Sequence, residues 1–200
     1  MKIKICGLRR EADVEAVNFA MPDYCGFVFA ESRRQIDAKT AGKLRARLNA
    51  KIAAVGVFVN QPIDVISSLY CDGIIQLVQL HGDEDDRYVT QLREACGCVV
   101  IKSVSVSAAL PPLPKTADYL LFDTASVQRG GTGSTFDWML LQHYNLHPYF
   151  LAGGLTLENV TEVKEKLQPF CVDVSSGVET DGWKDAEKIN LFVQAVRRSL

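Results

Sequence analysis

Short apolar runs and longer amphipathic stretches alternate along the whole chain. Runs rich in β-branched and aromatic residues cover 3–6, 24–29, 53–59, 75–80, 98–103, 119–122, 149–151 and 171–174, each ending in a turn signal. Several are apolar almost throughout, as expected of parallel strands covered on both faces. Helical spacing fills the gaps. Ile189, Phe192, Val193, Val196 and Leu200 fall on one face, with Lys188, Gln194, Arg197 and Arg198 between them. Val160, Val163 and Leu167 repeat the pattern, with Thr156 as the expected N-cap. Leu44 and Leu48 belong to a basic helix. The fifth unit is the weakest, because Pro111, Pro112 and Pro114 force any helix there to be short. Eight strand–helix units in one chain predict an α/β fold, a (β/α)8 TIM barrel occupying residues 1–200 as one domain. An open doubly wound sheet fits the same alternation, but eight is the number that closes a barrel.

Composition narrows the class without changing this picture. The chain is 48% hydrophobic and 23% charged, with 14 Gly and 7 Pro, which excludes collagenous and disordered readings. A net charge of −2 lacks the basic surplus of a nucleic-acid binder. No apolar run is long enough to span a bilayer. The first residues enter a strand pattern at once and leave no room for a signal peptide, so a soluble, cytoplasmic protein is expected. Its six cysteines then read as reduced thiols: Cys25, Cys71, Cys98 and Cys171 in or beside apolar segments, and Cys96 and Cys98 as a weak C-x-C.

In a (β/α)8 barrel the chemistry gathers at the C-terminal strand ends. Those ends are Cys6-Gly7, residues 31–34, Asn60, His81-Gly82, Ser103, Asp123-Thr124, Gly153-Gly154 and Ser175-Ser176-Gly177. No metal set emerges. His143 and His147 are four apart but separated by Asn145 and followed by Pro148, and there is no H-E-x-x-H. Glycine turns after strands seven and eight are where this fold binds phosphate, through backbone N–H groups that glycine lets approach the anion. The cluster 129–133, beside the Asp123 strand end, reads as a lid over the substrate. The acidic run 83–86 reads as a solvated helix N-terminus. Cys6 and Asp123 stand at the mouth, where a thiolate could take a proton and a carboxylic acid give one.

These stretches also carry a resemblance. Lys4-Ile5-Cys6-Gly7, Gly26-Phe27-Val28-Phe29, Val55-Gly56-Val57-Phe58-Val59-Asn60, Gln79-Leu80-His81-Gly82, Asp123-Thr124 with Gly130-Gly131-Thr132-Gly133 and Phe136-Asp137-Trp138, Gly153-Gly154-Leu155 with Glu158-Asn159-Val160, and Asp173-Val174-Ser175-Ser176-Gly177-Val178-Glu179 resemble phosphoribosylanthranilate isomerases in order and spacing. The resemblance covers the chain end to end and includes every strand end above except the fifth.

The resemblance implies a (β/α)8 barrel and an Amadori rearrangement. It would convert N-(5-phosphoribosyl)anthranilate to 1-(2-carboxyphenylamino)-1-deoxyribulose 5-phosphate, a step of tryptophan biosynthesis, with no metal or organic cofactor. It assigns the general base to Cys6 and the general acid to Asp123. Arg34, His81 and Asp173 become substrate-binding positions, and Gly153, Gly154, Ser176 and Gly177 phosphate-binding ones. The loop after strand two departs from the family's pattern: Ala30-Glu31 leads directly to Ser32-Arg33-Arg34, so two arginines compete, and the spacing to Ile36 favours Arg34. The expected partner is a small phosphosugar, not nucleic acid or membrane, and the expected state a monomer or homodimer. Other functions fit parts of the pattern. The aminoaldose isomerase of histidine synthesis uses two aspartates and two similar half-barrels, whereas strand one here ends in Cys6 and no half-repeat is visible. Indoleglycerol-phosphate synthase relies on strand-end lysines, of which only Lys102 has a counterpart. A silent phosphate-binding module would have lost Cys6 or Asp123.

Overall fold

The eight apolar runs become eight parallel strands that close on themselves in chain order, β1 to β8, with β8 pairing back to β1. The computed structural model describes residues 1–124, 137–143 and 148–198. The strands are β1 (Lys2–Cys6), β2 (Tyr24–Val28), β3 (Ala53–Phe58), β4 (Leu77–Leu80), β5 (Val99–Val106), β6 (Tyr119–Thr124), β7 (Tyr149–Leu151) and β8 (Cys171–Val174). Among the described residues six α-helices follow them: α1 (Glu11–Ala20), α2 (Ala38–Arg47), α3 (Ile63–Cys71), α4 (Asp86–Cys96), α5 (Val160–Leu167) and α6 (Ala186–Arg197). None of these helices is long and apolar enough to cross a membrane. The proline-rich fifth connection carries no helix, and a 3-10 turn, Trp138–His143, precedes β7. After β8 a short 3-10 turn, Ser176–Val178, leads into a hairpin of β9 (Glu179–Thr180) and β10 (Trp183–Lys184).

Period-two alternation splits each strand between two cores. Residues such as Ala54, Val100, Phe122, Leu151 and Val172 face outward into the layer packed by the helices. There they meet Val14 and Val17 of α1, Val160 and Val163 of α5, and Ile189, Phe192, Val193 and Val196 of α6. The predicted apolar face of the last helix is therefore buried as expected, except that Leu200 lies outside the described residues. Val55, Ile101, Leu121, Phe150 and Cys171, all fully buried, form a separate cluster that fills the barrel interior. Asp37, Asp85 and Asp185 cap α2, α4 and α6 by accepting N–H bonds from Thr40, Tyr88 and Lys188.

Some expectations need correction. Thr156 does not cap α5; the cap is Asn159, whose Oδ1 accepts the Thr156 N–H at 2.8 Å and so braces the preceding turn. Ser103 is not a strand end, because β5 continues to Val106 and pairs with β6 throughout. Cys71 is exposed, at the end of α3, while Cys25, Cys98 and Cys171 are buried; all six thiols are free. The acidic run is not uniformly solvated: Asp85 is a cap, but Glu84 is buried and ion-paired with Lys102 at 3.2 Å. The loop 129–133 and His147 lie outside the described residues.

Candidate active site

Cys6 ends β1 directly opposite Gly26 of β2. A Cβ at Gly26 would sit 2.6 Å from the Cys6 sulfur, so the absent side chain is the space the thiol occupies. Gly7 turns the chain away with φ of +87° and donates its N–H to the Gly26 carbonyl at 2.9 Å. The Cys6 carbonyl accepts the Ser175 hydroxyl at 3.0 Å, tying the end of β1 to the turn after β8. On the same face of β1, two residues before the thiol, lies Lys4, fully buried, its Nζ 2.7 Å from Asp173 Oδ2. Burial opposes the Lys4 charge, but the Asp173 carboxylate outweighs it and holds the ammonium more firmly charged than usual. Burial pushes the Cys6 thiol up, while the charge of Lys4 pulls against that rise.

Asp123 ends β6 across the mouth and is buried. Its Oδ1 accepts the Thr124 N–H at 2.8 Å, and its Oδ2 lies 3.5 Å from His81 Nε2. Burial pushes the carboxyl up to about 6, against the pull of the Thr124 N–H and with help from the charge of Asp173. The carboxyl therefore keeps its proton in roughly a tenth of molecules at pH 7, against about a thousandth for an ordinary aspartate. His81 is steadied on its other nitrogen by the Gln79 amide, 3.1 Å from Nδ1. The loop carrying His81 rests on Glu84, which accepts the N–H groups of Asn60 at 2.6 Å and Gly82 at 2.9 Å.

The two arginines after β2 separate clearly. Arg34 is buried and lies against Gly7, where a Cβ would meet Arg34 Cδ at 2.5 Å; Arg33 is exposed. Glu179 grips Arg34 in a bidentate pair, accepting from Nε at 2.7 Å and Nη2 at 2.8 Å. Arg33 reaches the same carboxylate from the exposed side at 3.1 Å, and Lys184 adds a third cation at 2.7 Å and also bonds the Ser175 carbonyl at 2.9 Å. Burial alone would raise the Glu179 carboxyl; the Arg34 hydrogen bonds and the Lys184 charge reverse this and hold it down at about 2. Arg9 and Arg10 stack on Trp183 with Cζ 4.0 and 4.3 Å from the ring centre, which fastens the β9–β10 hairpin over the start of α1.

The glycine turns after β7 and β8 interlock. Gly153 and Gly154 take φ of +84° and +71°. A Cβ on Gly153 would strike Thr124 Oγ1 at 2.4 Å, so this turn packs directly on the Asp123 strand end. A Cβ on Gly177 would lie 2.0 Å from the Leu155 carbonyl oxygen, an impossible approach to backbone. Gly177→Ala must therefore separate the two turns. Its expected result is a rise in substrate KM of tenfold or more with a smaller change in kcat, and a stability loss of about 1–3 kcal/mol. Steady-state kinetics and chemical denaturation check it; an unchanged KM would mean that the turns do not jointly hold substrate.

The strand-end rule thus brings Cys6, Asp123, His81, Arg34 and both glycine turns to one end of the barrel; Asp173, named only by the resemblance, lies on the strand beside Cys6. The rule misses Lys4, Gln79, Glu179 and Lys184. Lys4 and Gln79 each sit two residues before a strand-end residue, so period two does place them on the same face. Glu179 and Lys184 come from the added hairpin, whose two-residue Asp181-Gly182 turn, both residues at positive φ, is a hairpin signal that a rule of strand ends passes over.

Comparison with known proteins agrees with this geometry. The family profile of N-(5'phosphoribosyl)anthranilate (PRA) isomerase matches residues 3–195. A relative from Endomicrobium trichonymphae, named N-(5'-phosphoribosyl)anthranilate isomerase, is 51% identical over 197 residues, 98% of each chain. The crystal structure of phosphoribosyl anthranilate isomerase from Thermotoga maritima superposes with a TM-score of 0.85 at 33% identity, covering 98% of both chains. Another, of the isomerase in complex with reduced 1-(O-carboxyphenylamino)-1-deoxyribulose 5-phosphate, gives 0.82 at 31% identity over 98% of both. With the same barrel and a match along nearly its whole length, this chain belongs to the N-(5'-phosphoribosyl)anthranilate isomerase family.

Proposed function

We propose that the protein converts N-(5'-phosphoribosyl)anthranilate to 1-(2-carboxyphenylamino)-1-deoxyribulose 5-phosphate, with Asp123 as general acid and Cys6 as general base. The observation that carries the assignment is a buried carboxyl, Asp123, at the same barrel mouth as the Cys6 thiol, with the Lys4 ammonium buried two residues before Cys6 on its strand. Protonated Asp123 gives its proton to the furanose ring oxygen. The C1′–O bond breaks, and the nitrogen lone pair forms the C1′=N iminium. The Cys6 thiolate then removes the C2′ proton, and that C–H pair becomes the C1′=C2′ bond of an enolamine as the iminium is neutralised. Tautomerisation moves the C2′ hydroxyl proton to C1′ and yields the ketone. One proton has left Asp123 and one has reached Cys6, so solvent exchange restores both.

The surrounding residues fit the same substrate. The N–H groups of the Gly153–Gly154 and Ser176–Gly177 turns suit the phosphate. Arg34, kept charged by Glu179, suits an anionic group beside Cys6, and His81 steadies Asp123. Asp173 acts from beneath the thiol through Lys4. The test is loss of phosphoribosylanthranilate fluorescence on adding the protein to freshly formed substrate, with the product identified chemically. Absence of the aminoketose product overturns the assignment.

A further inference from the structure

Lys4 and Asp173 form a buried ion pair inside a barrel otherwise filled by Val55, Ile101, Leu121 and Phe150. Two strands place them: Lys4 of β1 is in register with Asp173 of β8, and Cys6 follows Lys4 on the same face. Stability alone gives little reason for such a pair, because apolar residues of similar volume serve a core as well or better. The pair also has a direction. Its ammonium lies on the face of β1 that Cys6 continues two residues on, while Asp173 keeps Oδ1 buried without a partner and acts electrostatically on Asp123.

We propose that the Lys4–Asp173 pair is a fixed dipole that tunes base and acid in opposite senses, Lys4 steadying the Cys6 thiolate and Asp173 helping the Asp123 carboxyl to keep its proton. The proposal rests on the assignment of Cys6 and Asp123 made above. Both charges act on both groups: at Cys6 the Lys4 cation outweighs the Asp173 anion, and at Asp123 the Asp173 anion outweighs the Lys4 cation. The other groups facing Cys6 are Lys184 from β10, Arg34 from the β2–α2 connection and the Cys25 thiol of β2; Asp123 also faces His81 from the end of β4. Lys4 and Asp173 are thus positioning residues, acting through the two groups that do the chemistry.

The test uses Lys4→Met/Asp173→Leu, which removes both charges without leaving either buried alone, and Asp173→Asn, which keeps the shape of the pair. Thermal melting verifies folding. Two titrations are followed: alkylation of Cys6 by iodoacetamide against pH, resolved by peptide mass spectrometry, and the pH dependence of kcat/KM. In the double variant Cys6 alkylation at neutral pH falls about tenfold or more, one unit of thiol titration. The two limbs of its kcat/KM profile move apart while the plateau drops. In Asp173→Asn both limbs shift to lower pH. A merely structural pair lowers stability or activity and leaves the limbs in place, and unmoved limbs with unchanged Cys6 titration in a folded variant overturn the proposal. Should the double variant fail to fold, Asp173→Asn decides by the same criterion. Cys6→Ala run in parallel keeps the two ideas apart: retained turnover there refutes the base assignment, whereas the alkylation titration reads the dipole without reference to turnover.

Discussion

Exchanging Asp123 for Asn lowers kcat by about 10²–10⁴-fold, the usual contribution of a general acid, with little change in KM. The amide keeps the side chain's shape, and its carbonyl can still accept the Thr124 N–H now made at 2.8 Å, but it has no carboxylic proton to give. The same exchange stabilises the protein at neutral pH. With its carboxyl at about 6 in the folded state and about 3.8 unfolded, Asp123 binds more protons folded than unfolded between those values. Wild-type stability therefore falls as pH rises through that window, and the full cost, on the order of 3 kcal/mol, is present above it. Below pH about 4 the cost is absent, so wild type and Asp123→Asn differ least there. Denaturation at pH 4 and pH 8 checks this. A stability difference that does not grow with pH would mean that burial does not hold the proton on Asp123.

Cys6→Ala removes the base and leaves the mouth intact, because the Ser175 bond to residue 6 is made to the backbone carbonyl. The expected loss of turnover is again about 10²–10⁴-fold. The two variants differ in which step they slow. Deuterium at C2′ clearly slows Cys6→Ala, where C–H cleavage limits, and slows Asp123→Asn much less, where ring opening limits. Near-parental turnover in either variant on the correct substrate removes that residue from the chemistry. Equal isotope effects in both would remove the division of labour.

The periodicity made much of this legible. A run of β-branched residues covered on both faces cannot be mistaken for a surface element, so all eight strands were readable; the prolines at 111, 112 and 114 pointed only to a short fifth helix, where the structure has none. Strand ends followed from the runs, and Cys6 and Asp123 from strand ends. Less legible was any feature decided by pairing across distance. Lys4 looks like a solvated charge in a short N-terminal strand until Asp173 arrives beside it. Glu84 reads as one more carboxylate of an acidic run until Lys102 comes within 3.2 Å. Thr156 and Asn159 are both good caps by residue type, and only the geometry of the turn after β7 gave the place to Asn159. Arg33 and Arg34 are identical in chemistry; the bare backbone of Gly7 admits one of them to the interior.

The seam between β1 and β8 has a consequence for how the protein comes into being. Lys4 meets Asp173 across a separation of 169 residues, so its partner is made long after it during synthesis. Until then the first strand has a raw edge and an ammonium with no counter-charge, and nothing behind it favours closure of the ring. A nascent chain halted before β8 can assemble its internal strand–helix units but cannot complete the electrostatic floor under Cys6. Completion of the site therefore waits for the strand that shuts the cylinder and for the hairpin after it, which grips Arg34.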